Sequence, residues 1–308
     1  MNDSAQHYEV IIIGGGPAGL TAGLYASRAR LISLLIERGM VGGQIVNAEQ
    51  VDNYPGFPEG INGFELTQLM QQQAEKYGLK TVIAEVTGVE LHGEQKVVKT
   101  TGGDFSARAV IIASGSERQK LGVPGEEEFT GRGVSYCATC DGAFFREKTV
   151  VVVGGGDAAI TEALHLSKLA SRIIVIHRRN QLRATRILQE KAFADPKIEF
   201  SWDSVVEAIE GGDFVNSIRL RNVTTGQESD LNADGVFISV GFRPNTDYLK
   251  DLLPLDAAGA VVTSERLETG IPGIFAAGDI RHNSIRQVIA AAGDGATAAI
   301  SAGKFIVG

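Results

Sequence analysis

The chain of 308 residues contains two cysteines, and they lie together in Cys137-Ala138-Thr139-Cys140-Asp141. Two thiols at this spacing can close a small, reversible disulfide ring, which in a reducing compartment reads as a redox motif rather than a structural staple. The thiolate is the nucleophile in disulfide exchange, so a proton carrier is needed beside it. Asp141 is placed for that role, and a helix or turn cap would also account for it. A cysteine pair has to receive its electrons from elsewhere, so the remaining sequence must contain a means of delivering them.

Two glycine fingerprints supply one. Gly14-Gly15-Gly16-Pro17-Ala18-Gly19 satisfies G-x-G-x-x-G, and Gly154-Gly155-Gly156-Asp157-Ala158-Ala159 repeats it with alanine in the last position, a variant the motif allows. The first glycine turns the chain, the second admits a pyrophosphate and the third permits close packing of helix on strand. An acid about 20 residues on can accept hydrogen bonds from a ribose, and Glu37 stands there in the first unit. At the same offset the second unit has His177-Arg178-Arg179, with Arg183 close behind. Arginine accommodates a 2′-phosphate where an acid would repel it. The second unit therefore reads as an NADPH site, the alternative being a solvated basic patch, since Arg172 and Arg186 are nearby. The first reads as a site for FAD or NAD.

The elements that must position these groups follow from the pattern. Glu9 to Ile13 and Thr149 to Val153 are short apolar, β-branched runs, the mark of buried parallel strands. Each leads into its fingerprint, a helix (Leu20 to Arg30, and on to about Leu169) and a second strand (Leu31 to Ile36, and Ile173 to Ile176). Gly63 to Tyr77 is an amphipathic helix. Lys80 to Val98 and Asp104 to Ile112 hold short strands, one ending in Ala113-Ser114-Gly115. Arg118 to Gly133, rich in Gly, Pro and Glu, reads as a linker, and Gly241 to Asn245 as a second. Between them Ile198 to Val223 and Glu228 to Val240 alternate like strands of a small sheet. Near the end, a strand runs into Gly278-Asp279 and an alanine-rich helix covers about Arg286 to Phe305.

Composition bounds the rest. Hydrophobic residues at 44% and charged residues at 21% are ordinary for a soluble protein, and this length favours two domains. A net charge of −8 argues against nucleic-acid or anionic-membrane partners. No apolar run reaches the roughly 18 residues of a membrane span, and the residues before His7 lack the pattern of a secretory signal. The expectation is a cytoplasmic protein. No metal is expected either: a structural zinc wants four ligands, there is no second cysteine pair, and His7, His92, His165, His177 and His282 are scattered.

Taken together, Gly14 to Gly19, Cys137 to Gly142, Gly154 to Ala159, His177-Arg178-Arg179 with Arg183, Phe275 to Asp279 and Arg286-Gln287-Val288 resemble the low-molecular-weight thioredoxin reductases, within the two-dinucleotide-binding-domain flavoproteins. Cysteines just before the second fingerprint are the specific mark. The resemblance implies an α/β protein of two Rossmann-like domains. An FAD-binding domain (1–117 and 246–308) is interrupted by an NADPH-binding domain (118–245) carrying the cysteine pair. It implies FAD held by Gly14, Gly16, Pro17, Ala18, Gly19, Glu37, Arg38, Gly43, Gln44, Asn53, Val86, Ala113, Gly115, Gly278, Asp279, Arg286, Gln287 and Val288. It implies NADPH held by Gly154 to Ala159, His177, Arg178, Arg179 and Arg183, and a homodimer. Cys140 is then the flavin-facing thiol, Cys137 attacks the thioredoxin disulfide, and Asp141 handles the thiol protons. In the family the NADPH domain rotates so that one cysteine pair can serve both partners, which places hinges at Arg118 to Gly125 and Gly241 to Asn245. Phe144, Phe145 and Arg132 are candidates for meeting the partner, core packing being the other account of either Phe. Two alternatives stay open: a flavoenzyme of this fold that reduces another disulfide carrier, and a ferredoxin- or flavodoxin-linked reductase, whose activity needs no cysteine pair.

Overall fold

The computed structural model describes residues 7–48, 50–249 and 252–308, with the backbone but not the side chain of Cys140. The chain divides into two compact units, Met1–Glu117 with Arg243–Gly308, and Arg118–Phe242. In chain order the first unit opens with β1 (His7–Ile13), α1 (Pro17–Arg28), β2 (Ser33–Glu37), α2 (Gly63–Lys76), β3 (Lys80–Ile83), β4 (Val86–His92), β5 (Gln95–Thr100) and β6 (Phe105–Ile112). The chain leaves through β7 (Ser116–Arg118). The second unit contains β8 (Val134–Ser135), α3 (Ala138–Asp141), β9 (Thr149–Val153), α4 (Asp157–Leu166), β10 (Arg172–Ile176) and α5 (Arg186–Ala194). It continues with β11 (Ile198–Ser201), β12 (Ser204–Gly211), β13 (Val215–Asn222), β14 (Glu228–Asn232) and β15 (Gly235–Ile238). The return is through β16 (Phe242–Pro244), which pairs with β7 as a two-stranded ribbon, and β17 (Ile274–Ala276) and α6 (Val288–Val307) complete the first unit.

Unit 1 is built on a sheet ordered β3-β2-β1-β6-β5-β4, with β17 also against β6. Strands β1, β2, β3, β6 and β17 are parallel, and β4 and β5 add an antiparallel hairpin. Both faces of the parallel core are covered, which is why its strands are apolar without a break. Val10, Ile12, Leu35 and Ile111 pack under α1 and α6, while Ile11, Ile13, Leu34, Ile36 and Ile112 fill the other face. Helix α1 starts on Pro17, whose missing N–H costs nothing in the first turn. Helix α2 starts on Asn62, whose side chain accepts from the N–H groups of Phe64 and Glu65.

Unit 2 repeats the plan with five parallel strands ordered β11-β10-β9-β15-β8. Val150, Val152, Ile173 and Val175 face α4 and α5, and Val151, Val153, Ile174 and Ile176 face the antiparallel sheet β12-β13-β14. The strand content of 198–240 is therefore split. Only β12, β13 and β14 form the small sheet; β11 and β15 belong to the parallel one.

The segment 118–133 is more than a linker. Glu126 is buried and its carboxylate collects the N–H groups of Leu121 and Gly122 and the Tyr136 hydroxyl, while Phe129 enters the core. Unit 1 resumes at Arg243, ahead of the expected residue 246. Asn245 is already anchored there, its backbone N–H on the Gly115 carbonyl at 3.0 Å and its amide on the Ser114 carbonyl at 2.9 Å. Helix α6 begins at Val288, because Arg286 has a left-handed backbone (φ +53°) that a helix cannot include.

Candidate functional site

In unit 1 the fingerprint forms the turn from β1 into α1. Gly14 has φ +105°, and a Cβ there would lie 2.4 Å from the Ala113 carbonyl oxygen. A Cβ on Gly19 would lie 1.8 Å from the Gly14 carbonyl oxygen, so neither position takes a side chain. Gly16 caps α1 with extended backbone, no side chain caps the helix, and its first turn has no acidic residue. Ala18 and Gly19, in that turn, are buried. A helix start left in this way presents its N–H groups and positive dipole end to an anion.

The surrounding residues close in on that turn. The Glu37 carboxylate accepts from the N–H of Gly15 at 2.7 Å and of Gly39 at 3.0 Å. The Gly42 N–H donates to the Gly15 carbonyl at 2.8 Å, which brings Gly43 against Gly16. Gln44 donates to the Ser116 carbonyl, and Arg38 pairs with Glu117 at 2.5 Å. Gly115 has φ +65°. From the far end of the chain, Gly278 packs on Ala18 and donates its N–H to Asp294 at 3.0 Å. Asn53 donates to the Gln287 side chain at 2.8 Å, joining two segments far apart in sequence just before Val288 begins α6. Asp279 follows β17; burial pushes its carboxyl above the usual range, opposed by the Ser284 hydroxyl at 3.3 Å and by Arg286. Val86 opens β4 opposite Thr100 and packs against the core that holds Ile11 and Ile13; two residues before it, the Ala84 N–H donates to the Glu37 carbonyl at 2.9 Å.

Unit 2 has a second such cradle. Gly156 caps α4, again without a side-chain cap, and Asp157 in the first turn accepts from the Thr185 N–H at 2.6 Å. The Gly155 carbonyl accepts from the N–H groups of Arg183 at 2.7 Å and Ala184 at 3.1 Å, so the arginine-bearing loop is pinned to the fingerprint. Behind Gly155 lies the His177 ring, only 2.4 Å from where a Cβ would stand. Ala158 is exposed and Ala159 buried in the core. The Arg178, Arg179 and Arg183 side chains are exposed, whereas His177 is buried with its Nε2 lacking any hydrogen-bond partner. Burial first, then the charge of Arg183 and the neighbouring arginines, lowers the His177 pKa, so the ring is neutral at pH 7. An uncapped helix start beside three exposed cations is what a phosphorylated nucleotide would complete.

The cysteine segment is also in unit 2, between β8 and β9. Cys137 is in a disulfide, and its Sγ lies 3.3 Å from the Thr139 hydroxyl. The side chain of Cys140 lies outside the described residues. The Asp141 N–H donates to the Cys137 carbonyl at 3.1 Å, closing one turn. The Asp141 carboxylate accepts from the Ser135 hydroxyl at 2.6 Å, and Ser135 Oγ accepts from the Cys137 N–H at 3.0 Å. Sequence reasoning passes over Ser135; its signal was a small hydroxyl residue two places before the cysteine. The neighbouring aromatics separate cleanly. Phe145 is buried edge-on against Phe237 at 5.2 Å, while Phe144 is 75% exposed. Arg132 is exposed, with its guanidinium over the Phe129 ring and bonded to the Glu128 carbonyl.

Residues 8–295 match the family model described as pyridine nucleotide-disulphide oxidoreductase. The chain is 49% identical over 300 residues to a thioredoxin reductase of Bacillus subtilis, covering 97% of this chain and 95% of that protein. It superposes with a TM-score of 0.94 on the crystal structure of Lactococcus lactis thioredoxin reductase in its FR conformation, at 46% identity and with 97% and 99% of the two chains covered. The T. acidophilum thioredoxin reductase gives a TM-score of 0.92 at 33% identity, covering 98% of this chain and all of the other.

Proposed function

The chain belongs to the pyridine nucleotide-disulphide oxidoreductase family, and from that premise we propose that it is a thioredoxin-disulfide reductase working with NADPH and FAD. The family implies flavin and pyridine-nucleotide use; the particular pair rests on the two cradles. The observation that carries the reading is a disulfide-forming Cys137 placed in the same unit as a fingerprint ringed by arginines, in a chain with a second, acid-bearing fingerprint.

Both cradles fit their groups. In unit 1 the uncapped α1 start would hold the FAD pyrophosphate and Glu37 a ribose, with Gly43, Gln44, Asn53, Asp279 and the Arg286–Val288 run toward the flavin. In unit 2 the α4 start would hold the NADPH pyrophosphate, with Arg178, Arg179 and Arg183 on its 2′-phosphate. FAD, when bound, supplies the two-electron relay between NADPH and the cysteine pair.

The protein's own residues complete the exchange. In the reduced pair the Cys137 thiolate attacks one sulfur of the thioredoxin disulfide, forming a mixed disulfide and releasing one thiol. The Cys140 thiolate then attacks Cys137, which restores the ring and releases the second thiol. Two electrons and two protons pass to thioredoxin. Asp141 is the side chain that moves a proton at these sulfurs, a role that typically contributes about 10²–10⁴-fold. Exposed Phe144, which follows the cysteine turn, and exposed Arg132 are the side chains we assign to meeting the partner. We place the protein in the cytoplasm, in keeping with a lone close cysteine pair, and take the homodimer from the family resemblance alone; among the described residues no helix is long and apolar enough to cross a membrane. The test is NADPH-driven thiol formation on thioredoxin, with a glutaredoxin-like disulfide as comparator. Thioredoxin should be the faster acceptor, and reduction of the comparator alone would overturn the assignment.

A further inference from the structure

Asp141 does not stand alone. It ends a helix of a single turn, Ala138–Asp141, closed by its own N–H on the Cys137 carbonyl at 3.1 Å. Its second support comes from outside: Ser135, 4% exposed, ends β8, an edge strand bonded into the parallel sheet through β15. The Ser135 hydroxyl has one proton. It goes to Asp141 Oδ2 at 2.6 Å rather than to the Cys137 carbonyl at 3.3 Å. The oxygen's lone pair meanwhile takes the Cys137 N–H at 3.0 Å. One hydroxyl thus fixes both the backbone of the attacking cysteine and the carboxylate oxygen. It does so from a buried residue bonded into the parallel sheet, where a short loop would otherwise set the distance.

We propose that Ser135 is a positioning residue for thiol–disulfide exchange, holding the Asp141 carboxylate in register with the Cys137 sulfur. This rests on the proposed role of Asp141. A carboxylate that loses this anchor samples positions away from the sulfur, so proton transfer slows while substrate binding does not. Flavin reduction by NADPH, which precedes the exchange, is untouched.

The experiment is a double-mutant cycle on the FAD-loaded full chain: Ser135→Ala, Asp141→Ala and both together. Steady-state turnover with thioredoxin and stopped-flow flavin bleaching by NADPH are read for each. Loss of a hydrogen bond to a charged group predicts that Ser135→Ala lowers kcat about tenfold, with KM and the bleaching rate within about twofold. In the Asp141→Ala background the serine change should alter kcat by less than about twofold, because its target is gone. A tenfold loss in both backgrounds would mean that Ser135 serves the Cys137 backbone alone, and unchanged kcat in the single variant would mean that it serves neither; either result overturns the proposal. If Asp141→Ala itself turns over normally, the role of Asp141 falls first, and the inference falls with it. Should Ser135→Ala fail to retain flavin, Ser135→Gly removes the same hydroxyl; failure of both would assign the residue to folding and overturn the proposal.

Discussion

The arginine loop of unit 2 makes the sharpest quantitative prediction. Arg178, Arg179 and Arg183 all reach solvent around the α4 start, and Arg183 is held there by its N–H on the Gly155 carbonyl. Arg178→Ala with Arg179→Ala removes two of three cations from the proposed 2′-phosphate position. Hydrogen bonds to charged groups contribute about 1.5–3 kcal/mol, and exposure argues for the lower end because solvent and salt screen these side chains. At about 1.4 kcal/mol per tenfold, the pair should raise the KM for NADPH roughly a hundredfold. The phosphate is remote from the reacting ring, so kcat at saturation should hold, the pattern of lost uniform binding. NADH lacks the phosphate and its KM should move less than about threefold. Wild-type KM for NADPH should also rise with ionic strength, and the variant's should stay nearly flat. The assay is steady-state oxidation of each cofactor at low and high salt. Equal losses with NADH and NADPH would refute the phosphate assignment.

Three further predictions follow from the same geometry. Cys137→Ser should leave a flavin that NADPH bleaches at the normal rate but should produce no thiols on thioredoxin; measurable thiol output would remove Cys137 from the exchange. Gly19→Ala sets a Cβ where the Gly14 carbonyl stands, and overpacking of this kind costs about 1–3 kcal/mol. It should lower Tm by several degrees and strip flavin, whereas a fully yellow, normally melting variant would contradict the close packing. Burial, reinforced by the arginines, depresses the His177 pKa, so on acidification the unfolded chain takes up a proton there before the folded one does. Stability should therefore fall as pH drops below about 6.5, by at most about 1.4 kcal/mol per pH unit from this group. Tm curves from pH 7.5 to 5.5 should be flatter for His177→Asn than for wild type, and parallel curves would contradict the assignment.

The sequence makes some of this plain and hides the rest for physical reasons. Both parallel cores are legible because a strand buried on two faces reads as an unbroken apolar run, and the matched offsets from Gly14 to Glu37 and from Gly154 to His177 repeat the whole unit. Strand β8 is hidden because two residues carry no period, and the Gly- and Glu-rich stretch before it mimics a loop. What orders that stretch is Glu126, whose carboxylate replaces the missing backbone ladder. Strand β15 is misassigned for a related reason: its pairing with β9 is non-local, whereas its sequence neighbour β14 joins a different sheet. Spacing also cannot show that Asn53 meets Gln287, since the chain must pass through the whole second unit between them. Ser135 was within reach of local reasoning, but a hydroxyl becomes informative only once its strand is known to be fixed.

The central claim is a route for electrons, and one anaerobic titration follows all of it. NADPH is added in substoichiometric steps to the purified FAD-loaded protein with oxidised thioredoxin in excess, while flavin absorbance and thioredoxin thiols are measured together. The account predicts two thioredoxin thiols for every NADPH consumed, with flavin bleaching only after the disulfide is exhausted. NADPH oxidised without thiols appearing on thioredoxin, or thiols appearing at the same rate from the Cys137→Ser protein, would contradict it.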